Sequence, residues 1–240
     1  MHSVTCFFKP NAKLTIICDH TLILNTTLFN YHIATIDLIN IEALFEAAKS
    51  LPEVLQSHIN QRKLLQDKAC SIQGWLLLKA CLQERGLTSE DILENIQFNA
   101  FGKPCLKKSR LKDASLDAHF NFSHSHAKVV CAVSNTHRIG VDIEKIGVFD
   151  NSLLPAYFSH GEIDFITQAN YPEDAFFSFW TKKEALLKCV GIGIAHIELA
   201  NLEVFNNTII YEQKPYRFYS IDVGHSYLAH VCIEENLILS

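Results

Sequence analysis

The 240-residue sequence predicts an α+β fold built on antiparallel sheets. Three observations carry that expectation. Segments whose apolar residues recur at helical spacing read as helices, above all Ala69–Arg85 and Pro172–Val190. Short runs rich in β-branched residues read as strands, of which Ala127–Ser134, AKVVCAVS, is the strongest. The second half then strings Ala200–Asn206, Thr208–Tyr211, Tyr216–Asp222 and Tyr227–Glu234 together with no helix between them, and strands joined by short turns pair antiparallel.

Taken in order, Leu14–Leu24 is an apolar run expected to form a strand. Asn40–Ser50 and Leu51–Gln66 carry helical spacing. Ala69–Arg85 is a clearer helix, stopped by Gly86. Ile96–Phe101 is extended and leads into a turn at Gly102–Pro104, and Lys107–Lys112, KKSRLK, is a basic loop. The strand Ala127–Ser134 is followed by an acidic strand, Arg138–Ile146, then by helices over Ser159–Asn170 and Pro172–Val190. A weak internal repeat links the halves. WLLLKACLQERG at Trp75–Gly86 parallels WTKKEALLKCVG at Trp180–Gly191, and HSHAKVVCAVS parallels HSYLAHVCIE. The chain is therefore read as two α+β halves, 1–137 and 138–240.

Composition narrows the function classes. A net charge of −5 argues against a general nucleic-acid binder. No segment reaches about 18 consecutive apolar residues, so no membrane span is expected, and the N-terminal stretch lacks the basic start and apolar run of a secretory signal. The chain has 8 cysteines but no C-x-x-C pair, so zinc is not expected. Cys81, Cys131, Cys189 and Cys232 sit in apolar segments, where a free thiol behaves as a small hydrophobe. Reduced thiols and a cytoplasmic location follow.

Two short segments carry the chemistry. Gly140–Glu144, GVDIE, lies in a strand, where alternate side chains share a face. Asp142 and Glu144 thus point one way, and Val141 and Ile143 the other, into a core. In Phe179–Gly193, FWTKKEALLKCVGIG, Trp180, Glu184 and Lys188 recur at i, i+4 and i+8 on one helical face. Two carboxylates on a strand and one on a helix suit a hard divalent cation. With Lys183 and Lys188 beside them, the set suits a diphosphate. Taken singly, each segment is more simply a solvated strand face or an exposed ion-pair surface worth about 0.2–0.5 kcal/mol per pair.

In combination these motifs resemble the Sfp-type 4′-phosphopantetheinyl transferases. The resemblance rests on FGKP at Phe101–Pro104 followed by HFNFSHS at His119–Ser125, on GVDIEKI at Gly140–Ile146, and on the helical segment. The last matches W-x-x-K-E-A-x-x-K-x-x-G at every fixed position. The resemblance implies two similar α+β halves about a pseudo-twofold axis, with the cofactor in the cleft between them. It implies transfer of 4′-phosphopantetheine from coenzyme A to a serine of an acyl or peptidyl carrier protein, with release of 3′,5′-adenosine diphosphate.

Carried over residue by residue, the resemblance makes Asp142, Glu144 and Glu184 ligands of Mg²⁺ and gives Glu184, Lys183 and Lys188 catalytic roles. Coenzyme A contacts are expected at Lys68, Lys103, Ser123, His124, Asp142, Lys183 and Lys188. The sequence departs from the family in its first half. Asp67–Ser71 reads DKACS, with Lys68 where arginine is common, and Leu55 and His58 stand where some members carry lysines for the 3′-phosphate. Arg62, Lys63 or Lys68 are the available substitutes. The general base stays open between Glu184 and Glu162, with Glu162 favoured as an ordinary helix-start acid. Leu153, Leu154, Tyr157 and Phe158 are expected to dock the carrier, with the KKSRLK loop steering it. The length and internal repeat favour a monomer with broad acceptor range. Two other readings remain: a different magnesium-dependent phosphoryl- or nucleotidyl-transfer enzyme, for which no P-loop is present, and a non-catalytic module that binds carrier proteins or coenzyme A.

Overall fold

A computed structural model describes residues 4–5, 15–16, 28–36, 41–84, 89–107, 118–193 and 198–235. It separates the chain into two units, residues 1–98 with 104–136, and residues 99–103 with 137–240. Most of the run Leu14–Leu24, Gly86, and the KKSRLK loop beyond Lys107 lie outside the described residues.

In the first unit, β1 (Val4–Thr5) and β2 (Thr15–Ile16) form an antiparallel pair. Then come β3 (Asn30–Thr35), α1 (Ile41–Ala48), α2 (Glu53–Asn60), α3 (Leu65–Glu84), α4 (Ser89–Glu94), β4 (Ile96–Phe98), β5 (Pro104–Leu106), β6 (His119–Ser125) and β7 (Lys128–Ser134). The central sheet has the order β3-β7-β6, antiparallel throughout. The helix α3 packs on this sheet and on α1 and α2. Trp75, Leu76, Leu77, Leu78, Cys81 and Leu82 are all buried. A helix apolar on every side must be enclosed, so α3 is the axis of this unit's core. Of these elements, β1, β3, α4, β5 and β6 were not expected. Polar residues interrupt β3 and β6, NYHIAT and HFNFSHS, yet Tyr31, His32, Asn121 and Ser123 are buried.

The second unit runs β8 (Ile139–Lys145), a 3₁₀ turn at Asn151–Leu153, α5 (Leu154–Tyr157), α6 (His160–Gln168), α7 (Pro172–Val190), a second 3₁₀ turn at Leu199–Asn201, then β9 (Thr208–Tyr211), β10 (Lys214–Ser220) and β11 (Tyr227–Glu234). The four strands form an antiparallel sheet in the order β8-β11-β10-β9. The register sets Gly140 opposite Cys232 and Asp142 opposite His230. A reciprocal capping box starts α6, with Ser159 Oγ accepting from the Glu162 N–H and the Glu162 carboxylate accepting from the Ser159 N–H. At the other end of α7, Gly191 takes the left-handed conformation at φ 89°, and the Ile192 N–H reaches back to the Leu187 carbonyl at 3.1 Å.

The strand expected over Ala200–Asn206 does not form. Its backbone groups are taken by buried side chains instead. Glu162 Oε1 accepts from the Val204 N–H, and Lys182 Nζ donates toward the carbonyls of Val204, Phe205 and Asn206. A peptide group committed to a side chain cannot also join a ladder.

The helix α7 lies across β8 and β11. Gly140 faces it at such close range that a Cβ there would run into the Ala185 carbonyl and the Cys189 backbone. Only a residue without a side chain permits this approach. We expect Gly140→Ala to destabilise the protein by roughly 3 kcal/mol, read as a lowered denaturation midpoint. A midpoint equal to wild type would show that α7 does not rest on this strand.

Candidate active site

Alternation along β8 puts Asp142 and Glu144 on the face of Gly140, toward α7. One helical turn separates Glu184 from Lys188 on the facing helix. The two elements meet in an ion pair, Lys188 Nζ donating to Asp142 Oδ1 at 2.6 Å. Asp142 is almost wholly buried, whereas the Lys188 side chain keeps 29% of its surface exposed. Glu184 sits in the same neighbourhood. Burial pushes its carboxyl well above the ordinary value; Lys188 opposes that rise, and the negative charges of Asp142 and Glu144 add to it, leaving it at about 7. Among the described residues, Glu184 Oε1 is buried and accepts no hydrogen bond.

The nearby histidine adds no positive charge to this carboxylate. His230, opposite Asp142 on β11, shares a 2.8 Å hydrogen bond with Thr181 Oγ1. Burial, with a smaller push from Lys182, lowers its pKa to about 4, so it is neutral at physiological pH. Asp142, Glu144 and Glu184 thus lie near one another, with the partly exposed Lys188 among them. No group of three or more His, Cys, Asp or Glu among the described residues is gathered tightly enough to be a finished metal centre. The donor set is nevertheless all carboxylate oxygen, one of its oxygens is buried without a hydrogen bond, and its charge is negative; that chemistry fits a hard divalent cation.

Lys183 departs from the role the sequence suggested. It is fully buried and points away from the carboxylates. Its ammonium donates to Glu162 Oε2 at 2.7 Å, to the Tyr157 carbonyl at 2.8 Å and to the Leu199 carbonyl at 2.8 Å. An ammonium has three protons to donate, so none remains for a phosphate. Glu162 is equally committed. Its Oε1 accepts from the Val204 N–H at 2.9 Å and its Oε2 from the Ser159 N–H at 3.0 Å. A carboxylate so engaged is no general base, which removes Glu162 from that role. The motif S-x-x-E at Ser159–Glu162 was a readable sign of a helix start; its lysine partner, 21 residues on, left no sign.

Lys103 also turns inward. Its Nζ donates to the Ile139 carbonyl at 3.2 Å and the Cys189 carbonyl at 3.1 Å, capping the last turn of α7. Asn99 completes this clip. Its Nδ2 donates to the Gly191 carbonyl at 2.8 Å, while its Oδ1 accepts from the N–H groups of Phe101 and Lys103. A lysine in a glycine turn gave no sequence signal for this use.

The remaining candidates lie in the first unit. Ser123 and His124 are neighbours on β6, so they point to opposite faces: Ser123 is buried and His124 exposed. Lys68 stands half-buried in the first turn of α3, with Arg62 and Lys63 exposed just before it. Leu55 and His58 serve packing. Leu55 is a core residue, and the His58 ring stacks on Phe98 at 4.1 Å.

In the segment expected to dock a partner, Leu154 and Phe158 are corrected to interior positions; both are buried in the second unit's own core. Leu153 is 41% exposed, and Val148, which the sequence reading passed over, is 96% exposed. Tyr157 is half-buried, its ring edge-on to Trp180 at 5.3 Å.

Comparison with known proteins gives the family. Residues 138–236 match the 4′-phosphopantetheinyl transferase superfamily. The chain is 32% identical over 177 residues to 4′-phosphopantetheinyl transferase gsp of Aneurinibacillus migulanus, covering 70% of each. It is 30% identical over 133 residues to 4′-phosphopantetheinyl transferase Sfp of Bacillus subtilis (strain 168), and 34% identical over 105 residues to HetI of Nostoc sp.. Those two matches span 55% and 43% of the relatives' lengths. The likeness to gsp runs well beyond the matched second unit, and the chain belongs to the 4′-phosphopantetheinyl transferase superfamily.

Proposed function

We propose that the protein transfers 4′-phosphopantetheine from coenzyme A to a serine hydroxyl of an apo acyl or peptidyl carrier protein. The new bond joins the serine oxygen to phosphorus, the bond from that phosphorus to the bridging oxygen breaks, and 3′,5′-adenosine diphosphate leaves. One observation carries the reading: Glu184, with a buried oxygen that no hydrogen bond reaches, stands against Asp142, Glu144 and Lys188. Asp142, Glu144 and Glu184 would hold Mg²⁺, which when bound neutralises the diphosphate. Lys188 lies beside them and supplies positive charge to the leaving phosphate. Family membership supports coenzyme A and a carrier protein as the two substrates. His124, exposed on β6, and Lys68 are the first unit's proposed cofactor contacts. No helix among the described residues is long and apolar enough to cross a membrane, and we propose a cytoplasmic monomer acting on polyketide, peptide or fatty-acid carriers.

The acceptor is proposed to dock on the segment after β8, through Leu153 and Val148. Replacing Leu153 by Ala should raise the carrier KM several-fold and leave coenzyme A affinity intact, since an apolar anchor in a small interface is worth about 1–2 kcal/mol. Varying each substrate separately decides this; a wild-type carrier KM with weakened coenzyme A binding would reverse the assignment.

Asp142→Ala and Glu184→Ala should each lower turnover by roughly a hundredfold or more, and EDTA should abolish transfer. Wild-type rates in either variant, or in EDTA, would remove the carboxylates from the mechanism.

The raised Glu184 pKa has a definite sign. Between pH 4.5 and about 7 the folded protein holds this proton more tightly than the unfolded chain, so metal-free stability falls as pH rises through that window. A cation held there would favour the ionised carboxylate and so offset the loss. Addition of Mg²⁺ should therefore raise the melting temperature more at pH 8 than at pH 6, and Glu184→Gln should flatten that difference. An equal shift at both pH values would mean that Glu184 is not a ligand.

A further inference from the structure

We propose that the buried Lys183–Glu162 pair is a positioning device that holds the acceptor-docking segment against α7, and that neither residue touches coenzyme A. The inference rests on the transfer reaction proposed above.

Four elements converge on the pair. Lys183 belongs to α7, immediately before Glu184. Glu162 belongs to the first turn of α6. Through its three donated protons Lys183 ties α7 to Glu162, to the 3₁₀ turn at Leu199 and to the last residue of α5, Tyr157. Its ammonium also lies 5.0 Å from the centre of the Phe158 ring. Burial lowers the Lys183 pKa and Glu162 opposes that shift, as in a desolvated ion pair.

This network ends the segment that follows β8. The start of that segment is held separately, by Phe149 stacked on Phe176 of α7 at 4.2 Å. Between these two anchors on one helix lie the exposed Leu153 and the turn that carries it, with the exposed Val148 just before the first. The segment has only one α-helical turn of its own, α5, with four residues. So short a helix is not stable by itself. Its placement relative to Glu184 therefore depends on the helix that both anchors share. The Tyr157 carbonyl bound by Lys183 belongs to the residue whose ring meets Trp180, one turn from Glu184 on the same face. A carrier seated on Leu153 and Val148 thus meets a surface whose placement on α7 Lys183 helps to hold.

The test uses Lys183→Met and, because the first variant leaves a buried carboxylate without its cation, Glu162→Gln as a second that keeps the side-chain volume. For each, coenzyme A affinity is measured by calorimetry with Mg²⁺, the carrier KM and kcat by steady-state kinetics, and backbone amide exchange over residues 147–158. We expect the carrier KM to rise at least tenfold and exchange over 147–158 to quicken, with coenzyme A affinity within twofold of wild type and kcat at saturating carrier changed less than KM. A general loss of packing would move coenzyme A affinity and kcat together. A tenfold loss of coenzyme A affinity with an unchanged carrier KM would make Lys183 a phosphate ligand and overturn the proposal. Wild-type exchange and wild-type carrier KM in both variants would overturn it as well. If the wild-type protein modifies no carrier, the transfer reading fails, and amide exchange alone still decides whether the pair holds the segment.

Discussion

The backbone contact between α7 and β8 at Gly140 is the constraint on which the second unit depends. With no side chain at that position, the helix carbonyl of Ala185 and the backbone of Cys189 lie directly on the strand. A side chain at that position would hold helix and strand farther apart, and a lysine and an aspartate would then meet only through more extended side chains. Here Lys188 reaches Asp142 at 2.6 Å although the aspartate is almost wholly buried. The same approach buries Glu184, which is what chiefly raises its pKa, and puts it close enough to Asp142 and Glu144 for their charges to add to the rise. Shape thus comes before charge at this site, since the glycine lets the strand and helix that carry the carboxylates approach so closely.

The three lysines of α7 show how burial divides one sequence motif into different tasks. Lys182, Lys183 and Lys188 occupy one amphipathic stretch, yet only Lys188 retains substantial exposure. A buried ammonium is tolerated when every proton is matched by an acceptor. Lys183 meets that requirement with a carboxylate and two carbonyls, and Lys182 with three successive carbonyls of residues 204–206. Both lysines therefore organise main chain, one at the end of α5 and the other in place of a strand. A partly exposed ammonium beside acidic groups is the one suited to exchange partners when a charged ligand arrives.

The elements with a single strong period were legible in the sequence. The bounds Pro172–Val190, Thr208–Tyr211 and Tyr227–Glu234 appear unchanged in the structure. Elements buried on both faces with polar residues inside, such as β6, were not, since alternation is lost when Asn121 and Ser123 are as buried as Phe120. The strand expected over Ala200–Asn206 failed for a different reason. Its apolar pattern was right for burial, but two buried charges from distant helices compete for its backbone. The placement of Asp142 and Glu144 on one strand face and of Glu184 on the helix above it was readable because strand and helix periods each set a facing direction. The inward turn of Lys183 and Lys103 was not, because which way a long side chain folds depends on acceptors that are remote in sequence.

The central claim is that the convergence of β8 and α7 equips this chain to move a phosphopantetheine arm. The most direct test is the intact mass of an apo carrier protein after incubation with the purified protein, coenzyme A and Mg²⁺, with a carrier whose acceptor serine is replaced by alanine as control. A gain of one phosphopantetheine arm on the wild-type carrier, and none on the control, is the result this account predicts. An unmodified mass across acyl and peptidyl carriers, from protein shown to be folded and to bind coenzyme A, would contradict it.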